Sequence, residues 1–421
     1  MKRKISLILV MLLVITFSAL HAEESLTWQQ CLEETKQAHP DLYSALALIQ
    51  QAEADRNITA GARLPRITSS ITARQDGTTE KGGSASSLYS YTVSAEQLLF
   101  DGRKTSSQLS SNEESIKASR FNYDIVASSV RYALRSAFVQ LLKAQDMVGL
   151  TREIADRRRT NVRLIALRYQ GGREHSGSLA QAQADLAQAE FEYAQARRGL
   201  GLAQSKLASA LGRDARTPIM VKGSYSTTFY SENRPDFQLL ARNNPAFREL
   251  ETKSRAAHFD LDAARNAFSP QLYLTGTAGR NSVDSTPFDA FDWQAGLNLS
   301  VPIYEGGIGR AKVSKAMAVV SRQNADVKSG YLQLLDTLEE SWKNYQDAMQ
   351  TVAVKKKFLS AALERSTIAN AQYSNGLLSF NEWVIIENNL VSAKKEYLNA
   401  EANLLSAEAQ WIEAKGGGLD G

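Results

Sequence analysis

The chain has 421 residues, 22% of them charged, with a formal net charge of +4. Lys2, Arg3 and Lys4 carry three of those charges, so the remainder is close to neutral and offers no footprint for nucleic acid or another polyanion. A single cysteine, Cys31, excludes an intramolecular disulfide and reads as a buried thiol.

Residues 1–22 have the layout of an export signal: a basic stretch from Met1 to Lys4, an apolar run from Ile5 to Phe17, and the small Ala22 before the expected cut. The mature chain is expected to start at Glu23. The apolar run is short for a membrane span, and no later segment approaches 18 apolar residues. From Leu26 to about Gly61 the pattern is helical, broken at His39-Pro40, because proline lacks the amide a helix interior needs and restricts the residue before it. Leu64-Pro65 ends that stretch.

A hairpin is expected over residues 64–99. Ile67, Ser69, Ile71 and Ala73 alternate with Arg66, Thr68, Ser70, Thr72 and Arg74. After a polar loop from Asp76 to Ser87, Tyr89, Tyr91, Val93 and Ala95 lie opposite Ser90, Thr92, Ser94 and Glu96. Gly102 to Tyr169 then carries a heptad seam of Val130, Leu134, Ala137, Leu141, Ala144, Val148 and Ala155 with no proline. At 1.5 Å per residue this predicts a rod of roughly 100 Å. A return helix follows from about Ser178 to Leu211, stopped by Gly212, and residues 213–236 read as a linker.

The plan then repeats over residues 237–416. Asn244-Pro245 answers His39-Pro40, and Ser269-Pro270 answers Leu64-Pro65, each 205 positions on. A second hairpin is expected over 270–303, with Leu272, Leu274, Gly276 and Ala278 on one face of its first strand. Its second strand sets Trp293, Ala295, Leu297, Leu299 and Val301 against Gln294, Gly296, Asn298 and Ser300, with Arg280 to Asp292 as the loop. The second rod, Gly306 to Tyr373, repeats the seam at an offset of 204 as Leu334, Leu338, Ser341, Tyr345, Ala348, Val352 and Leu359. Residues 417–421 form a tail. The chain is one unit duplicated.

Four strands cannot close a membrane barrel, whose smallest members have about eight, and in lipid every backbone polar group needs a partner. Two copies would supply eight strands around a filled interior; three would supply twelve around a pore. The Ser- and Thr-rich faces suit a wetted lumen, and Tyr89, Tyr91 and Trp293 suit the membrane boundary. A soluble sheet with one wet face accounts for the strands alone. The export signal and the need for closure favour the barrel.

Catalysis is not indicated. His39, His175 and His258 are scattered, no Ser, His and Asp grouping stands out, and no glycine-rich phosphate loop follows a strand. No cofactor is expected. The charge runs Arg157 to Arg159 and Lys355 to Lys357 read as outer faces of the rods. An exported coiled-coil adaptor or scaffold is the other class weighed, although such a protein typically carries one helical hairpin in a β-rich body, whereas this chain has two tandem helix and strand units.

The duplication, the two X-Pro breaks, the Val301-Pro302-Ile303-Tyr304-Glu305-Gly306-Gly307 lead into the second rod and the Tyr-x-x-Gly turns at Tyr169 and Tyr373 together resemble the TolC-type outer-membrane efflux proteins. The resemblance covers essentially all of the mature chain. It implies a mainly α, α+β membrane protein: a long coiled-coil tunnel plus a transmembrane β-barrel shared between the protomers of a homotrimer, four strands per chain. It further implies a location in the outer-membrane lipid extending into the periplasm. Such a passive duct is joined through a periplasmic adaptor (membrane fusion protein) to an inner-membrane transporter of RND or ABC type. The turns that meet the adaptor in the family correspond to Gly172 and to Gly376, Leu377, Leu378, Ser379 and Phe380, where the three large residues would form an exposed apolar group. Glu382 matches an acidic tunnel constriction, a carboxylate ring in a trimer that favours cations and raises its own proton affinity. The usual second acidic position is Ile385 here, with Glu387 two residues on as a substitute.

Overall fold

A computed structural model of the protein describes residues 24–77, 85–227, 233–283 and 290–419. The expected export segment, the tips of both strand hairpins, part of the linker and the last two residues of the tail lie outside them. Strand β1 (Glu24–Thr27) leads into α1 (Trp28–Ala38), where Thr27 and Gln30 satisfy each other's backbone amides in a capping box. The X-Pro breaks behave as their chemistry requires. His39 is extended at ψ 123°, and α2 (Pro40–Gly61) restarts on the proline. In the second half Asn244, at ψ 134°, separates α5 (Phe237–Asn243) from α6 (Pro245–Asn266), and its side chain accepts from the Ala246 amide at 2.9 Å.

Each heptad seam becomes one uninterrupted helix of 67 residues, α3 (Lys104–Gln170) and α7 (Ile308–Ser374). In α3, Val130, Leu134, Ala137, Leu141 and Ala155 are buried, while Ala144 and Val148 are half-buried. In α7, Leu338, Ser341 and Tyr345 are buried and the other four seam residues are half-buried. Ser341, the one polar knob, donates its hydroxyl to the Leu338 carbonyl at 3.2 Å and so enters the core satisfied. The return helices are α4 (Ser176–Leu211) and α8 (Phe380–Ala414). Gly212 ends α4 at φ 81°, and a Cβ there would stand 2.8 Å from the Ala38 carbonyl oxygen, so conformation and space both require glycine.

Residues 213–236 are more than a linker. They contain β4 (Ile219–Lys222), which pairs in parallel with β1. Gln145 supplies the next rung, accepting from the Val221 amide at 2.8 Å and donating to its carbonyl at 3.0 Å, and Gln204 donates to Ile219. Four residues of Ile-Met-Val-Lys are too short for their alternation to register.

The remaining strands are β2 (Arg66–Gly77), β3 (Ala85–Phe100), β5 (Gln271–Val283) and β6 (Ala290–Ser300). They run two to three residues further into both expected loops at most ends, so Asp76 and Arg280 are strand residues, as is Asp292. The sheet is antiparallel throughout, in the order β2-β3-β5-β6, with the two hairpins joined through β3 and β5.

The chain forms two compact units, each drawing on both halves of the sequence. One comprises residues 1–42, 127–235 and 337–421 and holds the small parallel sheet, the return helices and the helical turns. Its packing includes Trp28 edge-on to Phe138 at 5.8 Å and Trp342 against Trp411 at 5.2 Å. The other comprises residues 43–126 and 236–336 and holds the four-stranded sheet with α2, α5, α6 and the early parts of α3 and α7. There Ala257, Leu261 and Val320 are buried together, and the buried Glu114 accepts from Arg255 at 2.8 Å and Lys117 at 2.6 Å.

Candidate functional site

The register of the sheet sorts most of its side chains, with Arg280, Ser69 and Gln97 among the polar departures on the apolar side and Leu88 and Leu98 among the apolar ones on the polar side. Ile71 pairs with Tyr91, Tyr91 with Arg280 and Arg280 with Phe291; Ser69 pairs with Val93, Val93 with Ala278 and Ala278 with Trp293. Because cross-strand partners share a face, Ile67, Ile71, Tyr89, Tyr91, Val93, Leu274, Trp293, Leu297 and Leu299 all lie on one side. The opposite side carries Thr68, Ser70, Thr72, Ser90, Thr92, Ser94, Thr275, Thr277, Gln294 and Asn298. Neither side is covered by a core. Every residue of β2 is exposed, and on β6 Trp293 keeps 74% of its surface and Leu297 67%.

Among the described residues β2 and β6 each pair on one side only, which leaves two bare edges beside an uncovered apolar face. In water this arrangement invites aggregation. In a bilayer, with the edges joined to those of other copies, it is what a barrel wall requires. Tyr89 and Tyr91 on β3 and Trp293 on β6 lie toward the hairpin-loop end of the apolar face with β5 between them, and Phe291, 62% exposed, lies there too. The sequence reading missed Phe291 because it fell within the expected loop; its apolar alternation with Trp293 was the available signal. Among the described residues no helix is long and apolar enough to cross a membrane, and no cluster of His, Cys, Asp and Glu is arranged to hold a metal ion.

In the other unit, both long helices end in the same turn. Gly172 and Gly376 are left-handed, at φ 69° and 76°. Gly172 donates to the Tyr169 carbonyl and Arg173 to Arg168; Gly376 donates to Tyr373 and Leu377 to Gln372. These are paired Schellman closures, which satisfy the last carbonyls of α3 and α7. His175 then caps α4, its Nδ1 accepting from the Ser178 amide at 3.2 Å, and Ser379 caps α8 in a box with Glu382.

Between the turns lies an aromatic core. Tyr373 stacks on Trp383 with ring centroids 4.6 Å apart, and Phe380, Ile165, Ala182 and Ala369 close around them. The Tyr373 hydroxyl donates to Glu174 at 2.8 Å, and burial together with that carboxylate pushes its pKa up. Arg168 lies 4.4 Å over the Tyr373 ring and donates to the Tyr373 carbonyl at 2.7 Å, which ties the end of α3 to the end of α7.

Three expectations are corrected here. Leu377, Leu378 and Phe380 do not form one exposed apolar group: Leu377 is 77% exposed, but Phe380 is buried and Leu378 packs against the aromatic core. Glu387 is not an outward carboxylate. It is 1% exposed, accepts from Arg157 at 2.7 and 2.8 Å and from the Ser366 hydroxyl at 2.6 Å, so both its oxygens are engaged within the protomer. The run Arg157 to Arg159 is not a solvated face, because Arg157 holds Glu387 and Arg158 is buried beside Asn388. Helical geometry separates the three, sending neighbouring arginines in directions 100° apart.

Glu382 is exposed, and its carboxylate accepts from the Ser379 hydroxyl at 2.7 Å and the Ser379 amide at 3.2 Å. Those bonds hold its pKa below the usual value, opposite in sign to the shift a ring of like charges produces.

Residues 31–213 and 237–417 match the sequence model of the outer membrane efflux protein family. Among curated relatives, protein CyaE of Bordetella pertussis is 23% identical over 306 residues, covering 71% of this chain and 65% of its own. The matched stretch thus spans just under two thirds of that relative's length. The pyoverdine export outer membrane protein OpmQ of Pseudomonas aeruginosa is 21% identical over 394 residues, covering 90% of this chain and 82% of its own. Among solved structures, CusC superposes with a TM-score of 0.85 at 17% identity, over 93% of this chain and 92% of that one, which establishes the likeness of fold.

Proposed function

Because the chain belongs to the outer membrane efflux protein family, we propose that it is the exit duct of a tripartite efflux pump or type I secretion system, a homotrimer whose twelve strands form one outer-membrane barrel and whose helices form a periplasmic tunnel. The observation that carries this reading is the sheet: four strands, apolar residues gathered on one face and polar on the other, both faces uncovered and both edges free among the described residues. Lipid takes the first face, water the second, and sister strands the edges. Three copies leave a wetted lumen where two fill it with side chains.

Transport is passive in this reading. The driving force comes from an inner-membrane transporter of RND or ABC type, coupled through a periplasmic adaptor. Support for adaptor contact at the helical turns comes from Leu377, whose exposure at a turn otherwise fully satisfied by its own hydrogen bonds leaves an apolar side chain with no partner among the described residues. Gly172, Gly376, Leu377 and the exposed Ser379 are the residues assigned to that contact. Glu382 lies six residues past Gly376 on an exposed face, where three copies around an axis would form a carboxylate ring.

The test is a planar lipid bilayer and a mass measurement in mild detergent. The full chain should conduct as a steady pore and have the mass of three chains. A single-chain mass without conductance would instead make it a periplasmic scaffold.

A further inference from the structure

Where the end of α8 meets α3, a small, partly open cavity of about 80 Å³ is lined by Trp28, Arg131, Arg135, Glu408 and Glu413, among others. That is room for more than one water. Its lining carries two arginines and two glutamates, and Lys415 stands close enough to feel Arg131 and Glu408. Arg131 and Arg135 stand one turn apart on α3, and Lys415, at the cap of α8, lies 5.1 Å over the Trp411 ring. Arg135 is fixed in place, 4.8 Å over Trp28 and 3.9 Å from Glu408, which is 2% exposed.

Arg131 has no such partner. Its Nε–H is buried with no hydrogen-bond acceptor, and its Nη1 packs against Gly417, where a Cβ would come within 3.5 Å. Burial lowers the pKa of Arg131, Arg135 and Lys415 alike, with Glu408 opposing, and it raises that of Glu413. Three cations thus stand beside two carboxyls, Glu408 and a Glu413 whose charged form burial disfavours. A buried guanidinium stays protonated and keeps its N–H groups satisfied wherever it can.

We propose that this cavity is a binding site for a small oxyanion of sulfate or phosphate size, held between the guanidinium groups of Arg131 and Arg135. The planar fork of a guanidinium matches two oxygens of such an anion. The site is independent of the transport reading, since it lies within one protomer and needs no pore.

Selenate is the probe, as a sulfate analogue with an anomalous signal. Titrated into the full-length protein in detergent, with sodium chloride holding ionic strength constant, it should raise the unfolding temperature by a few degrees and saturate in the low millimolar range. Arg131→Gln should lose the saturable part and keep only the shallow, non-saturating rise common to excluded salts. Crystals of the unaltered protein grown with selenate should show an anomalous peak between Arg131 and Arg135, which stands even if the variant fails to fold. A non-saturating rise identical in both proteins, an absent peak, or a peak with bromide but none with selenate would overturn the proposal.

Discussion

Arg157 on α3 grips Glu387 on α8 with two hydrogen bonds, across 230 positions of sequence, and the Ser366 hydroxyl on α7 completes the contact. Three helices thus meet on one buried carboxylate. Removing either charge strands the other, so Arg157→Leu or Glu387→Leu should each destabilise the helical turns by about 3 kcal/mol, the low end for breaking a buried pair because Arg157 keeps a third of its side chain in water. The double variant, leaving no unpaired charge, should be less damaging than the two losses added. Hydrogen exchange near residues 366–390 in the four proteins gives the coupling directly; simple additivity would mean the pair is incidental.

The two faces of the sheet make opposite demands on a substituted charge. Leu297 lies on the apolar face and Asn298 on the polar one, adjacent on β6. Leu297→Arg should cost about 2–4 kcal/mol if that face meets the bilayer midplane, whereas Asn298→Arg should be tolerated and should alter conductance. The yield of heat-labile trimers in the outer-membrane fraction reads the first effect, and single-channel recording the second. Equal tolerance of both would place the sheet in water.

The turns that launch the two rods look alike in sequence and differ in tolerance. Gly102 is at φ 63°, and a Cβ there would sit 2.0 Å from that of Ser269; Gly306, at φ 61°, would meet nothing within 4 Å. Gly306→Ala should therefore cost only the left-handed penalty, about 1 kcal/mol. Gly102→Ala adds a clash with a neighbouring residue and should cost about 3 kcal/mol or more. Thermal unfolding of the two variants side by side checks the ordering.

What the residues disclosed in advance follows from the range over which each signal acts. The 67-residue helices, the X-Pro breaks and the alternation of β3 and β6 are dictated by local periodicity and backbone chemistry, and they stand where the pattern put them. The offset of 204 also located the second Schellman turn from the first. By contrast, β4 is held by Gln145 and Gln204 from other helices, and Glu387 is turned inward by an arginine 230 positions away, neither of which leaves a periodic trace. The apolar trio at the second turn failed for a related reason. Hydrophobicity indicates that a side chain wants burial, and the aromatic core from Tyr373 and Trp383 that receives Phe380 and Leu378 is a tertiary feature.

Glu382 carries a sign that separates its two roles. As the reciprocal partner of Ser379 its carboxylate is favoured, so the stability it adds is complete above the unfolded pKa and is lost as pH falls through the lowered folded one. Glu382→Gln keeps an acceptor for the same cap and should flatten that acid dependence. A ring of three carboxylates would act the other way, lifting the apparent pKa above the ordinary value and drawing multivalent cations into the duct. Cation selectivity, recorded from pH 4 to 7 in planar bilayers, distinguishes the two. A midpoint above the usual glutamate range that vanishes in Glu382→Ala would establish the ring, whereas unchanged selectivity in that variant would confine Glu382 to capping α8.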